Sequence, residues 1–192
     1  MDTQTYIIEA NDYKDALIFL DIDGVLNHQL FYKKQMETKK ELIKKAKKGD
    51  IDRLQYDKSN ICPDSIKMFS NLCEDIQADV VVSSTWRLNR TIPQLQAIFD
   101  YCGGTFRVIG KTPHTGYERG VDIDEWLSKN IKIDTFGIGS YKFKRYVILD
   151  DDSDMLLKQR EHFFQIDSYC GITPNVCYRV KRFFERTVNY KK

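Results

Sequence analysis

Missing from this sequence is any apolar run approaching the roughly 18 residues needed to cross a bilayer, and its N-terminus carries no charged-then-apolar leader. A soluble chain is the expectation. Cysteine is sparse and unpaired in pattern: Cys62, Cys73, Cys102, Cys170 and Cys177 are odd in number, with neither a Cys-x-x-Cys pair nor a close Cys/His cluster. A disulfide framework and a zinc site are thereby disfavoured, and a reducing, cytoplasmic compartment is expected. Charge of one sign is also lacking, since the formal net charge is only +2 and the pI about 8.2. That balance is too mild to mark a nucleic-acid or membrane binder by itself. Internal repeats, low-complexity tracts and linkers are absent, so residues 1–192 read as one domain, long enough to bury a true core.

What is present begins with Ala16-Leu-Ile-Phe-Leu-Asp-Ile-Asp-Gly-Val-Leu-Asn27. An apolar run closed by a turn signal reads as a strand buried on both faces. In an open parallel sheet the ligand crevice lies beyond the carboxyl ends of the strands, where Asp21 and Asp23 fall. Period-two geometry places both acids on one side of the chain, and Gly24 lets the backbone turn away. The pattern suits a nucleophile or a metal position.

Further along, His28 to Asn60 is rich in lysine, with Lys33, Lys34, Lys39, Lys40, Lys44, Lys45, Lys47 and Lys48 around Tyr32, Met36, Ile43 and Ala46 at helical spacing. An amphipathic helix closed near Gly49 is expected, forming a small cap at about 28–60 beside the acid pair. A solvated lysine face is the plain reading of that run, and a surface for a polyanion the sharper one. Pro63 to Ile76 reads as a helix, and Ala78 to Val82 as a second buried strand delivering Ser83-Ser-Thr-Trp-Arg87 to its end. Thr91 and Pro93 start a helix that Gly103-Gly104 stops, and Thr105 to Ile109 reads as a third strand. A loop with Lys111 and Arg119 leads into a helix across Val121 to Leu127. Tyr6-Ile-Ile8 suggests an edge strand or arm, and Ile131 to Phe143 a loop or partial strand.

Tyr146 to Leu149 is a fourth buried strand, and it empties into Asp150-Asp-Asp-Ser-Asp154. Two acidic clusters at the ends of two apolar strands repel each other unless a cation compensates. Oxygen-only ligands of this kind suit Mg2+, which takes one or two carboxylates together with waters and phosphate oxygens. Phe163 to Ile166 is expected as a fifth strand, and Thr173-Pro174 opens a last helix running to about Asn189 with a basic outer face.

Acid pair, serine, cation and acid cluster, in that order on an alternating strand and helix pattern, resemble the haloacid dehalogenase (HAD) superfamily of phosphatases. The first motif resembles Asp21-Ile-Asp23-Gly24-Val25, the second Val81-Val-Ser83 and the fourth Asp150-Asp151. The wording of these segments looks like the small-capped HAD domains of RNA-repair proteins and, more distantly, the phosphatase half of polynucleotide kinase-phosphatases. The resemblance implies an α/β fold, a Rossmann-like three-layer HAD core with a mostly parallel sheet and a small helical cap after the first motif. It also implies a metal-dependent phosphatase in which Asp21 attacks phosphorus to form an aspartyl-phosphate and Asp23 serves as general acid and base. Ser83, with Ser84 as its substitute, would bind a phosphoryl oxygen, with Arg87 and Lys111 as further substrate contacts. The family's third motif is usually a lysine, so Arg119 or Lys111 must serve, with Arg119 preferred. Mg2+ would be held by Asp21, the backbone carbonyl of Asp23, and Asp150 or Asp151. The substrate is expected to be macromolecular, either a phosphoprotein bearing phosphotyrosine or phosphoserine, or a nucleic-acid end phosphate. A phosphate-binding or phospho-accepting module without catalysis is the alternative class.

Overall fold

Ala16–Leu20, the apolar run before the acid pair, forms strand β1, and all five of its residues are buried. Ala16, Ile18 and Leu20 enter one core cluster while Leu17 and Phe19 enter another, as alternate side chains of a strand covered on both faces must. The computed structural model describes residues 14, 16–49, 52–130 and 145–189. The readings for Tyr6 to Ile8 and for Ile131 to Phe143 lie outside them.

The other strands are β2 (Ala78–Val82), β3 (Val108–Lys111), β4 (Tyr146–Asp150) and β5 (Phe163–Gln165), in the spatial order β3-β2-β1-β4-β5. Every pairing is parallel. The helices are α1 (Gln29–Lys34), α2 (Met36–Lys48), α3 (Arg53–Ser59), α4 (Pro63–Asp75), α5 (Ile92–Tyr101), α6 (Arg119–Asn130) and α7 (Pro174–Asn189). Residues of α4, α5 and α7 pack on one face of the sheet, and Ile123, Trp126 and Leu127 of α6 cover the other. This segregation follows from right-handed crossovers: the chain moves outward from β1 to β3 with helices on one side, then crosses back to β4 with α6 on the opposite side. The result is an α/β three-layer core.

Because the connections after β1 and β4 lead in opposite directions, the sheet has its topological switch point between these two strands, where α/β sheets bind ligands. Backbone bonds continue just past the strands, with Asp21 N–H donating to Leu149 O at 2.9 Å and Ser83 N–H to Leu20 O at 2.9 Å. Asp21, Ser83 and Asp150 therefore stand side by side on one sheet edge.

Two expectations shift. The single lysine-rich helix is three helices, because Gln35 leaves the helical path after α1 and Asp52 caps α3 by accepting from Gln55 N–H at 2.8 Å. β3 begins at Val108, later than Thr105, because the Gln96 side chain intercepts the strand's approach, accepting from Val108 N–H at 2.7 Å and donating to Phe106 O at 3.0 Å.

Candidate active site

Asp21 is the first residue beyond β1, Asp150 the last residue of β4, and Asp151 follows it. One carboxylate oxygen from each lies within 4.8 Å of the other two. Gly24, at φ +77°, makes this approach possible: a Cβ there would sit 2.3 Å from Asp151 Cγ. Asp150 is fully buried, its Oδ1 accepts from Asp152 N–H at 3.0 Å, and its Oδ2 has no hydrogen-bond partner among the described residues.

Arg119, at the start of α6, faces these acids. Its Nη1 lies 2.8 Å from Asp21 Oδ1 and 3.5 Å from Asp150 Oδ2, and it also donates to Ser83 O. The helix start is clamped in place: Asp154 Oδ2 accepts from Arg119 N–H at 2.9 Å, Asp154 O from Gly120 N–H at 3.1 Å, and Gln159 Nε2 donates to Gly120 O at 2.8 Å. A Cβ on Gly120 would meet Leu156 N at 2.5 Å, so only glycine allows the α6 start to sit this close. Ser83 is fully buried and its Oγ has no hydrogen-bond partner among the described residues, whereas the Ser84 hydroxyl accepts from Trp86 N–H and caps a short 3-10 turn over Thr85–Arg87.

Two of the expected substrate contacts have other partners. Arg87 is 4% exposed and directed into the fold, donating to Ser83 O, Ser84 O, Thr112 O and Pro113 O and pairing with Asp122 at 2.5 Å. Lys111 donates to Arg87 O at 3.0 Å and Arg90 O at 2.7 Å. Both cations tie loops together. Arg119 alone of the three lies against the acids.

Asp23 is exposed and stands apart from the carboxylate cluster. Asn27 Nδ2 donates to its Oδ1 at 2.7 Å and Trp86 Nε1 to its Oδ2 at 3.0 Å.

A family model described as the HAD domain in Swiss Army Knife RNA repair proteins matches residues 17–176. The chain belongs to this family. No curated protein and no solved structure gives a significant match. Among the described residues no helix is long and apolar enough to cross a membrane.

The acids of this HAD domain fit a hard divalent cation. Burial pushes the Asp21 carboxyl up to about 6 against the pull of Arg119, and pushes Asp150 up to about 7, with Asp21 adding repulsion and Arg119 opposing it. Burial also raises Asp151. Arg119 is held charged by Asp150 and Asp21 although burial works against it. One arginine beside three clustered carboxylates leaves negative charge uncompensated, and the buried Oδ2 of Asp150, 3.5 Å from Arg119 Nη1, accepts no hydrogen bond among the described residues. An all-oxygen set of this charge suits Mg2+.

Sequence reasoning missed Asn27 and Asp122 as parts of this architecture, and did not find the bond from Trp86 to Asp23. Asn27 and Trp86 stood inside the motif wording; the Asn27 contact with Asp23 is local, whereas the Trp86 contact joins two strand ends 63 residues apart, which no local spacing encodes.

Proposed function

We propose that this HAD domain is a magnesium-dependent phosphomonoester phosphatase working through an aspartyl-phosphate on Asp21, with a nucleic-acid end phosphate as substrate. The observation that carries the reading is the convergence of Asp21, Asp150 and Asp151 with Arg119 braced against the first two. Asp21, Asp150, Asp151 and the backbone carbonyl of Asp23 would hold Mg2+. The ion, when bound, neutralises charge on the phosphoryl oxygens and the nucleophile.

In the first step an Asp21 carboxylate oxygen bonds to phosphorus as the ester P–O bond breaks, and Asp23 gives its proton to the departing oxygen. In the second, water attacks the phosphorus of the aspartyl-phosphate, its proton passes to Asp23, and Asp21 is regenerated with release of phosphate. The unpartnered Ser83 hydroxyl donates to a phosphoryl oxygen, which would satisfy a buried group that otherwise costs about 1–3 kcal/mol. Arg119 offsets charge shared by nucleophile and phosphoryl group.

The family's link to RNA repair supports a nucleic-acid end, as does the small size of the α1–α3 insertion, which leaves room for a macromolecule. Exposed Lys40, Lys44, Lys45, Lys47 and Lys48 on α2 suit a phosphate backbone. The test compares 3'-phosphorylated and 5'-phosphorylated oligonucleotides with phosphotyrosine peptides, with and without Mg2+, for wild type and Asp21→Asn. Metal-dependent release favouring one oligonucleotide, lost in the variant, is expected. Preference for the peptide overturns the substrate assignment, and a folded wild type that releases no phosphate from any of them makes the domain a binding module.

A further inference from the structure

Asp23 is an exposed aspartate whose carboxylate meets no backbone donor among the described residues, and such a side chain ordinarily rotates freely. Here it is gripped from both sides. Asn27, 1% exposed, accepts from Gly24 N–H at 3.0 Å through its Oδ1 and so presents its Nδ2 to Asp23 Oδ1 at 2.7 Å. Trp86 presents its indole N–H to Oδ2 at 3.0 Å. An indole N–H donates and cannot accept, so Trp86 can orient the carboxyl group without competing for its proton.

The tryptophan is itself held. The Arg90 guanidinium lies 5.1 Å from the Trp86 ring centroid, and its Nη1 donates to Trp86 O at 3.1 Å. Arg90 Nη2 reaches both carboxylate oxygens of Asp57 in α3, at 3.0 and 2.9 Å, and Asp57 is 6% exposed. Lys111 donates to Arg90 O at 2.7 Å, fixing the backbone that carries the arginine. A continuous path of contacts therefore runs from the cap helix α3 through Asp57, Arg90 and Trp86 to Asp23.

The geometry points to Trp86 as a positioning residue for proton transfer at Asp23, braced by the Arg90–Asp57 pair so that docking of α3 and orientation of the acid are one structural event. The inference rests on the phosphatase reading, in which Asp23 protonates the departing oxygen. Misplacing a reacting group by about 1 Å costs on the order of 10²-fold, and general acid catalysis contributes on the order of 10² to 10⁴-fold. That contribution weighs most when the departing oxygen is strongly basic. An alkyl phosphate needs the proton, whereas p-nitrophenyl phosphate expels a stable phenolate and needs it little.

The experiment measures kcat/KM with Mg2+ for an alkyl phosphate and for p-nitrophenyl phosphate, since kcat/KM reports steps through the first phosphoryl transfer. Trp86→Phe keeps the ring and the arginine stack but removes the donor. Asp57→Asn keeps shape and weakens the brace. Asp23→Asn sets the full size of the effect. Trp86→Phe is expected to lose about tenfold more on the alkyl than on the aryl ester, Asp57→Asn to shift the ratio the same way by less, and both to stay within the Asp23→Asn limit. Equal losses on the two esters for a folded Trp86→Phe overturn the inference and leave the phosphatase reading intact. Should Trp86→Phe fail to fold, Asp57→Asn and Arg90→Lys decide the matter by the same ratio. A wild type inert to both esters overturns the phosphatase reading and this inference with it.

Discussion

Asp21 and Asp150 each hold a carboxyl group pushed up by burial, to about 6 and about 7, from an ordinary value of 3.8. A carboxyl raised in this way binds its proton more tightly in the folded chain than in the unfolded one. Between pH 3.8 and the folded values, folding takes up protons, so these two groups cost nothing in acid and cost most above about pH 7. The metal-free protein is therefore expected to gain stability from these residues as pH falls from 8 to 5. A cation bound between them removes the repulsion, so Mg2+ should raise Tm strongly at pH 8 and little at pH 5, where protons compete for the same oxygens. Thermal denaturation at both pH values, with and without Mg2+, checks this; a Mg2+ shift larger at pH 5 contradicts the assignment of the acids.

At the scale of elements, the site depends on how closely α6 approaches the loop after β4. Gly120 has no Cβ to keep it from Leu156, and Asp154 takes the N–H groups that the first turn of α6 leaves open. This contact, more than any feature of α6 itself, places the Arg119 guanidinium on Asp21. Gly120→Ala would meet backbone at 2.5 Å, which no side-chain rotation relieves. Overpacking of this kind costs about 1–3 kcal/mol. The expected outcome is a modest fall in Tm with a drop in kcat on the order of 10²-fold as Arg119 shifts. Activity equal to wild type would show that α6 tolerates the displacement. Asp122, one turn into the same helix, pairs with buried Arg87 and ties α6 to the 3-10 turn after β2. The elements bearing Ser83, Trp86 and Arg119 are thus joined behind the site.

For the whole molecule, the acidic sheet edge and the lysines belong to different elements. The sheet edge carries the acids, while the exposed lysines lie on α2, which contributes no residue to either core cluster. Contacts with a nucleic-acid backbone release counterions and weaken with salt. Replacing Lys44, Lys45, Lys47 and Lys48 by glutamate is expected to lower kcat/KM for an end-phosphorylated oligonucleotide by far more than for p-nitrophenyl phosphate, and to flatten its dependence on salt. Kinetics at two ionic strengths read both effects; equal losses on the two substrates would deny α2 a part in backbone contacts.

Local pattern determined which segments are strands and which are helices. The apolar runs of β1, β2 and β4 became the three inner strands because burial on both faces demands largely apolar sequence, while the shorter β3 and β5 close the two edges of the sheet. Thr91 with Gln94 formed the capping box that starts α5. The meeting of Asp21 with Asp150 and Asp151 was legible by the same local logic, since carboxylates at the ends of neighbouring buried strands come together, while Asp23, its partner in the sequence motif, is not part of that group. The sequence preferred Arg119 to Lys111, and tertiary structure gave each its contacts: the clamp on α6 directs Arg119 to Asp21, while backbone carbonyls take Lys111. Tertiary structure alone separated Ser83 from Ser84 and turned Arg87 inward to Asp122. Strand identity depends on each residue's sequence neighbours, whereas the partner of a long polar side chain depends on which distant element is packed within a few ångströms, and that is settled only when the layers close.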